Sequence, residues 1–216
     1  MKLIGAPDEW IGLIDNMVPD ILDLVLSTWE AMPQLAPDAR EDPTTEELCR
    51  GLRQNRNSNN LPFRIDIQSV ELDPAVGEGQ GRMDITFSPP VPREDIYFCL
   101  ECKRLNVVYD GQVRPLASEY VTHGLMRFIR GQYARQIKHG GMLGYVLDGK
   151  MAKAMKGVSG VIKKRFEELG MEQPGDMLPS SIRPENSNVR ETYHARRGKA
   201  GNIKIHHIFV GGASTA

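Results

Sequence analysis

Hydrophobic residues recur at helical spacing near the start of the chain: Trp10, Ile11, Leu13 and Ile14, then Ile21, Leu22, Leu24, Val25, Leu26 and Trp29. The pattern predicts helix from Trp10 to Met32, with Pro19 where a second helix could begin and Pro33 and Pro37 marking a break. A short helix follows, from about Thr44 to Gln54, with Leu48 and Leu52 on its buried face. Asp42-Pro43 marks its start, and Thr44 with Glu47 three residues on reads as a capping box.

The period then changes to two. In Phe63-Arg-Ile65-Asp-Ile67-Gln the apolar and polar side chains alternate, as on a half-buried strand. The glycine-rich run Gly77-Glu-Gly79-Gln-Gly81 predicts a hairpin connection to a second strand, Arg82 to Phe87. Pro89, Pro90 and Pro92 predict a turn into a third strand, Ile96 to Lys103. Beyond it the chain reads as a helix from Ser118 to Lys138 interrupted by Gly124 and Gly131, then a short buried strand from Met142 to Leu147. A Lys-rich helix from Gly149 to Gly170, dotted with Gly157 and Gly160, and a loop over 171–186 come next. Val189–Arg196 and Ile203–Val210 make a hairpin around Gly198-Lys-Ala-Gly201. This order of elements predicts a mixed α/β (α+β) single domain.

With 216 residues, 40% hydrophobic and 25% charged, the chain can fill one core, which excludes wholesale disorder, a collagen-like fold and a coiled coil. No run approaches the roughly 18 apolar residues of a membrane span. Lys2, Leu3 and Ile4 begin an apolar start that Pro7, Asp8 and Glu9 break, too short for a secretory signal. Three cysteines make no disulfide framework. The expectation is a cytoplasmic protein with no membrane partner.

Net charge is −1, but its distribution is lopsided. Residues 1–102 carry 8 Lys and Arg against 19 Asp and Glu, while residues 103–166 carry 13 against 3. Residues 167–216 balance at 6 and 6. Basic surface beside clustered carboxylates suits a metal-dependent enzyme acting on a polyanion; two halves that attract each other are the alternative.

Asp84, Glu101 and Lys103 carry the most chemistry. Side chains alternate along a strand, so Glu101 and Lys103 point one way while Ile96, Phe98, Leu100 and Cys102 make an apolar face on the other. In the neighbouring strand Met83, Ile85 and Phe87 supply the core face, leaving Asp84 and Thr86 opposite. Pairing of the two strands brings Asp84 beside Glu101, two acids and a lysine off one sheet face. Such a pair suits Mg²⁺, which takes one or two carboxylates and keeps several waters. The ion polarises a phosphoryl oxygen, and a nearby lysine steadies attacking water or developing charge.

These residues resemble the PD-(D/E)XK nuclease superfamily, the restriction-endonuclease-like fold. Asp84 in GRMDITF and Glu101-Cys102-Lys103 in YFCLECKRL match its motif, with 16 residues between Asp84 and Glu101 and Met83 in place of the proline. Glu41, with Thr45 and Leu48, resembles the Glu-x-x-x-Thr-x-x-Leu element from which many members draw a further glutamate; Glu47 competes for that role. The resemblance covers roughly residues 40–148. It implies a restriction-endonuclease-like core (41–148) with a mixed central sheet flanked by helices, an N-terminal helical extension (1–40), and a C-terminal helix and hairpin (149–216).

The implied activity is Mg²⁺-dependent phosphodiester hydrolysis in nucleic acid, DNA ahead of RNA, with Mn²⁺ as a substitute ion. Asp84 and Glu101 would hold the metal, and Glu41, Asp84, Glu101 and Lys103 form the catalytic set. A bacterial antiviral defence role would suit the resemblance, with a homodimer or association with an ATPase, helicase or other defence subunit. The alternative is a catalytically silent nuclease-like subunit that binds nucleic acid or a partner protein.

The following segment places Arg127, Arg130, Arg135, Lys138 and His139 on or near one helix, where guanidinium groups could match phosphates. Its pattern, Tyr120-Val-x-x-Gly124, Arg127-Phe, Gly131-x-Tyr133 and Met142-Leu-Gly-Tyr-Val146, resembles uncharacterised bacterial nuclease-like proteins more than any named restriction enzyme. Gln132 and Gln136 read as a solvated helix face, and Tyr133 as core. Cys99 and Cys102 lie three apart on a strand and face opposite sides, so they form neither a zinc nor a redox pair. His206 and His207 point apart, one packed and the other exposed, while His139 and His194 lack ligand spacing. The Arg196-Arg-Gly-Lys199 turn reads as an exposed basic turn.

Overall fold

The computed structural model describes residues 7–91, 95–196 and 201–211, without the side chains of residues 7–11. Lys2 to Ile4, the Trp10 and Ile11 side chains, Pro92 and the turn residues Arg197 to Lys199 lie outside the described residues.

Helix α1 runs unbroken from Pro7 to Glu30, with Pro19 inside it rather than opening a second helix. Proline there removes the N–H that would bond the Asp15 carbonyl. The fully buried stripe Val18, Ile21, Leu22 and Val25 holds the helix on the core across that gap. The second helix, α2, spans Glu41–Ser58 and starts before the expected capping box. Thr44 is therefore inside the helix, donating from Oγ1 to the Arg40 carbonyl at 2.7 Å, and Glu47 pairs with Arg50 on the exposed face.

The strands β1 (Arg64–Val70), β2 (Arg82–Ser88) and β3 (Phe98–Leu105) form an antiparallel meander. A small hairpin of β4 (Val107–Tyr109) and β5 (Gln112–Arg114), which the residue pattern does not predict, follows β3. The expected long helix over Ser118–Lys138 is helical only to Arg130: α3 (Ala117–Tyr120), a π-helical turn (Val121–Leu125) and α4 (Met126–Arg130). Gly131, at φ +71°, ends it, so Gln132, Arg135, Gln136 and Lys138 lie on irregular chain and share no helix face.

Strand β6 (His139–Val146) runs parallel to β3, and after α5 (Met151–Lys164) and short β7 (Leu178–Pro179) come β8 (Val189–Ala195) and β9 (Asn202–Gly211). The seven strands form one mixed sheet in the order β1-β2-β3-β6-β9-β8-β7. Because β3, β6 and β9 are consecutive parallel neighbours, they are covered on both faces. One face packs on α1 and α2, where Leu48 and Leu52 meet Phe98, Leu100, Leu143 and Tyr145. The other packs on the Ala117–Arg130 segment and α5, where Ala154, Val158 and Ile162 form a stripe at spacing four.

Coverage of both faces corrects the histidine expectation. His206 and His207 point to opposite sides, yet both are fully buried. His207 bonds the Tyr120 hydroxyl at 2.9 Å and Thr192 Oγ1 at 2.8 Å; His206 lies 3.0 Å from His139 across a stacked pair of rings. His194 is buried too, with Thr192 Oγ1 at 2.6 Å and the Leu169 carbonyl at 2.8 Å from its two ring nitrogens. Arg196 is also buried, donating to the carbonyls of Ala134, Ile137 and Gly201 instead of standing on an exposed turn. Among the described residues no helix is long and apolar enough to cross a membrane.

Burial pushes His194 down to about 4 and His206 to about 3, the second also through His139 and Lys204, and holds His207 well below its ordinary 6.5. The unfolded chain therefore binds more protons below pH 6.5, and the stability these rings allow is lost as pH falls towards 4 and below. The urea midpoint should decline between pH 6.5 and 4, less steeply in His207→Gln. An identical pH dependence in the two proteins would contradict this.

Candidate active site

Asp84 lies where the meander opens. The β2–β3 ladder pairs Phe87 with Phe98, Thr86 with Cys99 and Ile85 with Leu100, and goes no further. One step on, the Asp84 carboxylate replaces the missing backbone partner, accepting from the Cys102 N–H at 2.7 Å. On the other side of β2 the β1 residue across from Asp84, Gln68, has φ +53° and is unpaired within that ladder. The two interruptions change the face of the strand. Ile85 and Phe87 join the α1–α2 side of the core, but Met83 packs on the opposite side with Tyr97 and Cys99, contrary to the expected common face.

On β3 the alternation holds. Phe98, Leu100 and Cys102 face α1 and α2, whereas Cys99 and Leu105 belong to the other cluster, so the two cysteines are buried, free and on opposite faces. Glu101 and Lys103 share the second face. Lys103 Nζ lies 2.9 Å from Glu101 Oε1, 2.9 Å from Glu41 Oε1 and 3.9 Å from Asp84 Oδ2, and it donates to the Cys102 carbonyl at 2.8 Å. Glu41 opens α2, and its other oxygen accepts from the Arg104 N–H at 3.2 Å. All four expected side chains are thus brought together. Glu47 is not among them.

Two further residues complete the cluster. Arg127 Nη1 reaches Glu101 Oε1 at 2.9 Å, and the Tyr133 hydroxyl donates to Glu101 Oε2 at 2.6 Å. Tyr133 is core, as expected, yet it also serves the site; a buried tyrosine hydroxyl requires a partner, which is the signal that could have pointed to it. Of the other basic residues of this segment, Arg130 pairs with Glu168, Arg135 donates to the carbonyls of Asp73 and Pro74, and His139 lies against His206.

Access differs among the acids. The Glu101 side chain is 0% exposed, against 24% for Asp84 and 29% for Glu41. Both Glu101 oxygens are taken by protein donors, so solvent reaches the cluster at Asp84 and Glu41. Among the described residues no group of three or more His, Cys, Asp or Glu side chains is arranged to hold a metal ion. The acids share an ammonium as their common neighbour. A cleft of about 900 Å³ beside β1 and β2 is lined by none of the four.

Charge balance explains the electrostatics. Three carboxylates face two cations, Lys103 and Arg127, which leaves one negative charge in surplus. Burial, and then repulsion from Glu101, push Asp84 up to about 7 against the pull of Lys103 and the Cys102 N–H. For Lys103, burial works against the charged form, but Glu101, Asp84 and Glu41 outweigh it and raise its basicity. Gly124 lets the π-helical turn press on this centre: a Cβ there would lie 2.5 Å from Met142 Cε and 3.4 Å from Lys103 Cγ.

No protein family, curated protein or solved structure matches this chain.

The strain on Asp84 makes the site a stability liability. With a folded value near 7 and an ordinary 3.8, the carboxyl costs stability fully above pH 7 and progressively less as pH falls towards 4. Asp84→Asn keeps an acceptor for the Cys102 N–H. In EDTA at pH 8 it should raise Tm by roughly 2 °C or more, the shift about 1 kcal/mol gives a domain of this size. The gain should shrink at pH 5; a Tm below wild type at pH 8 would contradict the account.

Proposed function

We propose that this chain is a metal-dependent nuclease of the PD-(D/E)XK kind that its motif resembles, hydrolysing phosphodiester bonds in nucleic acid. The observation that carries the reading is the convergence on one ammonium of carboxylates from the start of α2, from β2 and from β3. Surface charges placed for solubility do not gather in this way. Burying them costs several kcal/mol per ion unless they are paired.

The donor set suits a divalent ion in kind: hard carboxylate oxygens, one or two of which meet the needs of Mg²⁺. Burial and Glu101 raise Asp84 to about 7 despite Lys103, and a divalent metal would take the place of its proton. Asp84 and Glu101 would hold the ion, with Glu101 giving up one of its present donors. When bound, Mg²⁺ polarises a phosphoryl oxygen and lowers the pKa of its water.

The chain's own residues do the rest. Lys103 presents a permanently charged ammonium next to Asp84, where it orients an attacking water and offsets negative charge growing on the phosphorane oxygens. Glu41 holds that ammonium from the solvent side through Oε1, while its Oε2 is fixed by the Arg104 N–H. Arg127 and Tyr133 hold Glu101 in place from the protein side.

The second reading is a catalytically silent subunit on the same fold. The saturation of Glu101 and the lack of a three-ligand metal group among the described residues favour it.

A cleavage panel with Mg²⁺ or Mn²⁺ on single- and double-stranded DNA and RNA separates the two. Wild type should cut at least one substrate, and Asp84→Asn and Lys103→Ala should lower the rate by about 10²-fold or more while remaining folded. No cleavage by wild type, or wild-type rates in both variants, would overturn the catalytic reading.

A further inference from the structure

A second group of cations stands one residue away from the carboxylate cluster. Arg40 precedes Glu41 and Arg104 follows Lys103. Both line a cleft of about 290 Å³ together with Arg114, Asp38 and Tyr109, closed on one side by the β4–β5 hairpin. Arg40 and Arg114 are exposed, and neither side chain has a hydrogen bond or ion pair among the described residues. Arg104 is held by one bond, from Nη1 to the Ala39 carbonyl at 3.3 Å, while its Nε is buried without a partner. Asp38, the acid of this lining, is paired with none of them among the described residues.

Unpaired arginines close together repel one another, and a buried guanidinium N–H without an acceptor costs stability. The arrangement lacks an anion. The arginines of the following segment are engaged internally, Arg127 by Glu101, Arg130 by Glu168 and Arg135 by backbone carbonyls, so this is where uncommitted guanidinium groups adjoin the cluster. Tyr109 at the hairpin, 70% exposed, adds an aromatic face beside them.

The geometry points to a nucleic-acid backbone site: Arg40, Arg104 and Arg114 receive a phosphate of the strand flanking the one presented to Lys103 and Asp84. Guanidinium forks match phosphate oxygens bidentately, and an exposed tyrosine offers a base a stacking surface. This deepens the nuclease reading and rests on it for the polarity of the strand, but binding itself needs no catalysis.

The test measures binding in EDTA, where no cleavage intervenes. Fluorescence anisotropy with a short labelled DNA duplex, its single strand and the matching RNA compares wild type, Asp84→Asn and the double variant Arg40→Ala/Arg114→Ala. Neither side chain has a partner among the described residues, so thermal melting of the double variant should match wild type. Its affinity for the bound form should fall about tenfold or more, and its log–log salt slope should shrink by about 0.7–0.9 for each phosphate it no longer neutralises. Asp84→Asn should bind as tightly as wild type or more so.

Wild-type affinity and salt slope in the double variant, or no binding of any probe by wild type, would overturn the inference. The outcomes separate from those of the catalytic reading. Arginine-dependent binding without cleavage under Mg²⁺ or Mn²⁺ keeps the backbone site and removes the enzyme. Cleavage with undiminished binding in the double variant does the reverse.

Discussion

The architecture of this protein turns on one buried ammonium. Lys103 sits on a central strand with its side chain 11% exposed, and an unpaired charge there would be prohibitive. Its partners come from places far apart in the chain. Glu41 requires α2 to begin where it does, and Asp84 requires β2 and β3 to be parted at its own position, one residue before Ile85, where their pairing begins. Glu101 requires the helical segment beyond β3 to lie close enough for Arg127 and Tyr133 to reach it. Packing of the two helical layers and electrostatics at the cluster are thus one constraint. Shifting either layer by a residue would strand a charge.

That constraint also marks what sequence patterns can and cannot convey. The period-two strands, the hairpin around Gly77–Gly81, the terminal hairpin and the mixed class of the fold were legible, because alternation on a sheet is local information. So were the common face of Glu101 and Lys103 and the opposed faces of Cys99 and Cys102. The α2 boundary was not. Thr44 and Glu47 imitate a capping box, but the part-buried pairing of Glu41 with Lys103 across 62 positions draws the helix start earlier. Tertiary contact overrode the local signal. The helix expected up to Lys138 failed at Gly131, whose left-handed backbone ends it, and with it went the supposed basic face.

The common face of Met83, Ile85 and Phe87 failed for a related reason. Alternation presumes an intact ladder, and at Asp84 the ladder is interrupted on both sides. Such breaks in local regularity concentrate where chemistry is performed. The histidines were misjudged because no composition rule tells a strand covered on one face from a strand covered on both. His206 and His207 differ in direction, as adjacent strand residues must, without differing in exposure.

The position of β9 has a consequence for how the molecule comes into being. It follows every other described strand in sequence, yet it lies inside the sheet, between β6 and β8, and the carbonyl of its Gly211 receives the indole N–H of Trp29 from the first helix. A nascent chain emerging from the ribosome therefore holds β6 as a raw edge until β9 has been made, and until then its first helix lacks that anchor. Ribosomes that stop early on this message would release fragments with a sticky, unpaired strand, fit for proteolysis and unfit for work.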